Sequence, residues 1–204
     1  MNDPVAYWHA EHGYYTRLLD ILDREVAAFH AGRKPDYTLM RDIVRYLRYF
    51  PDRFHHPRED EAFRRLAARD PGMALPLSRL LQEHRVIGEA GDQLLWRLEQ
   101  VAEDVVVSRA IVESMAATYL VYYRHHIATE EREVLPRAAA LLAAADWSAI
   151  AAAAPEGIDP LFGGEDCAPR YRDLRRRIAQ EADAAAREAA ASEPLPGPVF
   201  DTNQ

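Results

Sequence analysis

Hydrophobic positions in this chain recur at steps of three and four residues over most of its length, the period of a helix with one apolar face. The first such stripe reads Trp8, His12, Tyr15, Leu19, Leu22, Val26 and Phe29, with a histidine in its middle. Asp3-Pro4 has the form of a cap followed by proline at the first helical position, and Gly32 and Pro35 close the segment after about His30. A second helix is expected from Asp36 or Thr38 to about Arg69, ending at Asp70-Pro71-Gly72. Pro51 and Pro57 fall inside it, and each removes a backbone hydrogen bond and predicts a kink. A third helix starts after Pro76 and gathers Leu77, Leu80, Leu81, His84, Ile87, Gly91, Leu94 and Leu98 on one side. After a turn at residues 103–107, Ser108 is placed to cap a fourth. That helix carries Ile111, Met115, Tyr119, Tyr122, His126, Glu130 and Val134 inward and bends at Pro136.

The character changes beyond Ala145. Residues 147–154 predict a short helix, residues 155–169 a loop, and residues 170 to about 191 a polar, alanine-rich helix before a disordered tail. Residues 1–145 therefore read as one helical bundle, and residues 146–204 as a segment that packs on its end.

Two short stretches break the apolar stripes with chemistry. His55-His56-Pro57-Arg58-Glu59 and His126-Ile127-Ala128-Thr129-Glu130 each set a histidine four residues before a glutamate, which puts both on one helical face. Isolated histidines, His12 and His84, precede these pairs by 43 and 42 residues. The chain thus reads as two copies of one unit, with potential ligands kept in register while the apolar residues between them differ. A four-helix bundle that binds two metals draws inward-facing ligands from all four helices. His12, His55, Glu59, His84, His126 and Glu130 are the candidates. Uncompensated, a buried ionised carboxylate costs several kcal/mol; a divalent cation removes that cost and keeps its ligands deprotonated.

Facing decides within each histidine doublet. His55 shares a row with Val44, Pro51, Glu59, Phe63 and Leu66, whereas His56 shares one with Asp60, Arg64 and Ala67, which reads as solvent-facing. A kink at Pro57 would favour the alternative pair, His56 with Asp60. His125 lies with Thr118, Thr129 and Arg132, and His9 with Gly13, Thr16 and Asp20, so both read as surface residues. Ligating histidines usually donate their other N–H to a carboxylate or carbonyl. Glu11, Glu83 and Glu131 adjoin the candidates in sequence, where a charge beside a ligand is also the mark of an exposed turn.

Composition narrows the setting. A net charge of −8 argues against nucleic acid as a partner, and the arginine-rich run at residues 170–177 reads as a solvated helix face. Cys167 is the only cysteine, no leader is visible at Met1-Asn2-Asp3-Pro4, and no run of about 20 apolar residues could span a membrane. These features predict a soluble cytoplasmic protein.

His12, the His55-His56-x-x-Glu59 segment, His84 and the His126-x-x-x-Glu130-Glu131 segment, followed by Leu135-Pro136, resemble the hemerythrin-like HHE cation-binding family in order and spacing. The resemblance covers about residues 4 to 145. It implies an all-α, antiparallel up-down four-helix bundle, extended here by a C-terminal helix and tail. It also implies a non-haem centre of two iron ions joined by an oxo or hydroxo bridge. His12, His55, His84 and His126 would be terminal ligands, and Glu59 and Glu130 would bridge. Manganese and zinc suit the same donors.

One departure stands out. Oxygen-carrying members place a second histidine four residues after the one on the third helix, where this chain has Gly88. A sphere with one imidazole fewer leaves room for dioxygen, nitric oxide or peroxide, or for a tyrosine such as Tyr15, Tyr119, Tyr122 or Tyr123. The expected function is binding or sensing of dioxygen or nitric oxide, or handling of iron under oxidative or nitrosative stress. The rivals are an enzyme that decomposes peroxide or activates oxygen, and a structural metal protein with interaction partners.

Overall fold

The apolar stripes become long helices that pack stripe to stripe, and the computed structural model is helical throughout, with no strand among the described residues. It describes residues 4–155, 157, 159–162 and 169–180. Helix α1 spans Pro4–His30, α2 Tyr37–Phe50, α3 His56–Arg69, α4 Ala74–Ala102 and α5 Arg109–Thr129, followed by the shorter α6 (Leu135–Leu141) and α7 (Ala144–Ala151). α1 packs against α2 and α5, and α4 packs against the same two helices, which closes a ring of four neighbours around the core. All seven residues of the first stripe are buried. No helix among the described residues is long and apolar enough to cross a membrane.

Local chemistry sets the helix ends. Gly32, at φ 67°, ends α1 in the left-handed conformation, and the next residue's N–H returns to the Ala28 carbonyl at 2.9 Å. The Asp36 carboxylate accepts from the Leu39 N–H at 2.9 Å to cap α2. α4 starts at Ala74, two residues before Pro76, because proline is tolerated in a first turn whose N–H groups need no intrahelical partner.

The prolines act through wide turns. Residues Pro51–His55 and Glu130–Val134 form π-helical turns in which the N–H of His56 reaches the Pro51 carbonyl and that of Leu135 reaches the Glu130 carbonyl. Each turn is followed, after one intervening residue, by a proline, Pro57 or Pro136, that cannot continue the α ladder, so the helix widens locally instead of breaking. The expected second helix is therefore α2 and α3 joined by a π turn, and the fourth is α5 and α6 joined the same way.

Two inward assignments on the fourth helix are corrected. Ile111 and Tyr122 are exposed, at 42% and 43%. The buried face runs through Val112, Ala116, Tyr119, Tyr123, His126 and Ile127. A step of three from Tyr119 leads out of the core, whereas a step of four to Tyr123 stays within it.

The chain after α6 packs in two places. α7 lies against α3, with Trp147 meeting Trp8 edge to face at 5.6 Å between ring centroids. The expected short helix at residues 147–154 thus begins and ends three residues earlier. Farther on, Leu161, Tyr171, Leu174 and Ile178 join the main core, and the Tyr46 hydroxyl donates to Asp159 at 2.7 Å. Residues 172–180 are helical; the rest of the expected C-terminal helix, the tail and Cys167 lie outside the described residues.

Candidate metal centre

Each of the four helical rods brings histidine to one buried point. α1 contributes His12, the π turn and α3 contribute His55, His56 and Glu59, α4 contributes His84, and α5 with its π turn contributes His126 and Glu130. Glu59 and Glu130 are each only 1% exposed. Nε2 of His55 lies 2.8 Å from Glu59 Oε1, and Nε2 of His126 lies 3.1 Å from Glu130 Oε1. Each pair is one helical turn apart, as the spacing requires.

The two halves meet through the carboxylates. His12 Nε2 lies 3.1 Å from His55 Nε2, 3.3 Å from Glu59 Oε1 and 3.5 Å from Glu130 Oε2. His84 Nε2 lies 3.4 Å from Glu59 Oε2 and 3.9 Å from Glu130 Oε1. Potential ligand atoms of His12, His55 and Glu59 fall within 4.8 Å of one another, and those of His56, Glu59, His84 and His126 do so separately. Glu59 belongs to both groups. Glu130 offers one oxygen to each side.

A second layer of carboxylates engages the outer ring nitrogens. Nδ1 of His55 is 2.9 Å from Glu11 and Nδ1 of His126 is 3.1 Å from Glu83, each on the preceding long helix of the same repeat. Nδ1 of His12 is 2.6 Å from Glu131 and Nδ1 of His84 is 2.7 Å from Asp60, each from the other repeat. The arrangement is two-fold in sequence as well as in space, because Asp60 and Glu131 each follow a central glutamate. A ring nitrogen held by an outer carboxylate leaves the other directed inward as a lone-pair donor. Glu131 also accepts the surface residue His9 at 2.7 Å, and Glu11 is held by Arg58 at 2.9 Å.

Several inner atoms approach one another without forming hydrogen bonds. Glu59 Oε2, both oxygens of Glu130 and Nε2 of His84 and His126 are buried without a hydrogen bond. Each buried unsatisfied polar atom costs about 1–3 kcal/mol, and more when charged. Seven carboxylates surround five imidazoles here, with Arg48 and Arg58 offsetting two of them. With the imidazoles deprotonated as ligands, a pair of divalent cations would cancel four of the five remaining negative charges and give each of these orphaned atoms a partner. The donor set fits metal.

Titration reflects the same crowding. Burial alone would lower the His12 imidazole, yet the Glu131 and Glu59 carboxylates raise it to about 10. His84 is raised to about 11 against its burial by Asp60, Glu130 and Glu59, and His126 to about 9 by Glu130 and Glu83. Burial would raise Glu59, but His55 and His12 hold it well below the usual carboxylate range. His56 goes the other way. Burial and the neighbouring His84 push it well below the usual imidazole value, so it stays neutral.

His56 corrects the facing argument. It is 6% exposed, and its ring stacks on His84 at 4.3 Å, whereas its expected companion Asp60 is exposed and holds His84 from outside. The π turn ending at His55 widens the helix, so two successive residues project toward the core, which an ideal α-helical row cannot do. A proline immediately after the histidine doublet is the one signal of this in the sequence. His9 and His125 are exposed, with side chains 73% and 64% accessible. Tyr122 faces solvent, while Tyr15, Tyr119 and Tyr123 have buried hydroxyls without hydrogen-bond partners.

At Gly88 the guanidinium of Arg48 fills the space beside the helix, 3.2 Å from where a Cβ would lie, and it pairs with Asp52 and Asp92. An open cleft of about 460 Å³ lies along this wall and is lined by His56, His84, Gly88, Arg48 and Asp52.

The family model of the hemerythrin HHE cation binding domain matches residues 3–138, a span that includes every histidine and carboxylate of this centre. No curated protein matches the sequence.

Proposed function

The chain belongs to the hemerythrin HHE cation-binding family, and on that premise we propose that it is a non-haem di-iron protein that reversibly binds dioxygen or nitric oxide. Iron held by these residues would supply an exchangeable coordination position and a reversible change of oxidation state. The four rods α1, α2–α3, α4 and α5–α6 would form an antiparallel up-down bundle, a reading supported by their ring of contacts. His12 and His55 would hold one ion, and His84 and His126 the other. Glu59 and Glu130 would bridge the two, as their reach into both halves supports. The observation that carries the proposal is the set of buried, unpartnered atoms of Glu59, Glu130, His84 and His126.

Two features of the protein support a ligand-binding reading. Trp8, Tyr15 and Phe63 pack around His55 and His84 and keep bulk water from the inner face. The open cleft lined by His56 and His84 would be the route by which a small ligand approaches from solvent. A soluble, cytoplasmic ligand sensor or a protein managing iron under oxidative or nitrosative stress would use the same two properties.

The test is metal analysis of the purified protein after anaerobic loading with ferrous iron, with spectra before and after air or nitric oxide is admitted. About two irons per chain and a spectral change reversed by removing the gas are expected. Sustained consumption of added peroxide would move the protein to the enzymes, and zinc alone would remove the redox reading.

A further inference from the structure

Resting on this di-metal reading, we propose that His56 is a further metal ligand, the third imidazole of the half that contains His84 and His126. Its ligand atom lies within 4.8 Å of those of Glu59, His84 and His126. Its ring stacks on His84 at 4.3 Å and meets His126 edge-on at 6.1 Å between centroids. Asp52 Oδ1 lies 2.8 Å from its Nδ1, which leaves Nε2 as the inward nitrogen. That is the arrangement of His12, His55, His84 and His126, each with Nδ1 on its own carboxylate.

His56 has no counterpart in the second repeat. In ligand register it aligns with Ile127, and Asp52 aligns with Tyr123. The addition therefore serves one half of the site only. It is also the half in which α4 supplies one histidine and then Gly88 a turn later. Arg48 covers that glycine and its ion pair with Asp52 anchors the carboxylate that holds His56. A nitrogen that α4 does not provide comes from α3, delivered by the π turn that lets His55 and His56 both face inward. The two metal positions then differ, with three imidazoles on one and two on the other.

The protein loaded with cobalt(II) tests this by proton NMR in water. Each ligating imidazole gives one strongly shifted, solvent-exchangeable N–H resonance, so five are expected for the wild type. His56→Ala should lose one of the five and weaken cobalt binding in its own half of the site. A wild type with four such resonances, unaltered in His56→Ala, overturns the proposal. Should His56→Ala fail to fold, Asp52→Asn decides: one of five resonances should move, and an unchanged spectrum overturns the assignment. His126→Ala separates the two levels. If it keeps its full cobalt complement and all its resonances, the metal centre itself is misplaced. If it loses cobalt while His56→Ala leaves the spectrum untouched, only the role of His56 falls.

Discussion

At the scale of single residues, Glu59 is the group on which both halves of the centre depend, because its carboxylate lies close to histidines from all four rods. Glu59→Ala is expected to reduce iron from about two per chain to less than one, with both ions lost together. Loss of a single ion would make Glu59 a terminal ligand. His84→Ala and His126→Ala should also lower metal content, while the exposed His9→Ala and His125→Ala should leave it unchanged. The same residues give a pH dependence. His12, His84 and His126 are raised from the ordinary 6.5 to about 10, 11 and 9, so protonation favours the folded, metal-free chain. That stabilisation is complete below pH 6.5 and is lost as pH rises through 9 to 11. Urea midpoints in the presence of a chelator should fall over this range; a flat or rising profile would contradict the assignment. Metal must displace these protons, so loading near pH 7.5 should release protons, measured by calorimetry in buffers of different ionisation enthalpy.

At the scale of elements, helix glycines separate packing from propensity. Gly13 lies in the middle of α1 with nothing within 4 Å of where a Cβ would stand. Gly13→Ala is expected to stabilise the protein by about 0.5–1 kcal/mol through backbone entropy alone. Gly91 on α4 is buried, and a Cβ there would collide with Arg48 Cδ and come within 3.0 Å of the Tyr119 ring. Because Arg48 is fixed between Asp52 and Asp92, it has little room to give way. Gly91→Ala should therefore destabilise by about 1–3 kcal/mol despite its better helix propensity. Urea unfolding of the two variants should show midpoints moving in opposite directions. The π turns show the limit of pattern reading at this scale. Helical spacing pairs His55 with Glu59 and His126 with Glu130, and the structure brings both pairs together. It also brings in His56, because a wide turn before Pro57 changes the rotation that an ideal helix would impose.

At the scale of the whole molecule, the bundle and the segment after it are coupled. Every candidate ligand lies before residue 131, yet Leu161, Tyr171, Leu174 and Ile178 are part of the main core. Removing residues 155–204 should cost roughly 2–5 kcal/mol from the apolar area re-exposed. The shortened chain should still bind metal. Loss of metal binding with the fold intact would give the C-terminal segment a direct part in the centre. Metal should in turn stabilise the full chain, by about 2.7 kcal/mol when free metal is a hundred times its dissociation constant. A thermal midpoint unaffected by chelation would argue against a site integral to the core.

The sequence by itself determined the helices, their approximate ends and the six residues that converge, because helical periodicity and i, i+4 spacing are local properties of the backbone. It also pointed to Glu11, Glu83 and Glu131 as neighbours of those residues, without saying which histidine each one holds. Only the tertiary structure decided that Glu131 and Asp60 cross from one repeat to the other, since that depends on which helices become neighbours. The inward turn of His56 and the guanidinium of Arg48 over Gly88 were likewise decided in three dimensions. Both depend on where a proline widens a helix and on which side chain from another helix reaches a glycine, and neither leaves a period in the chain.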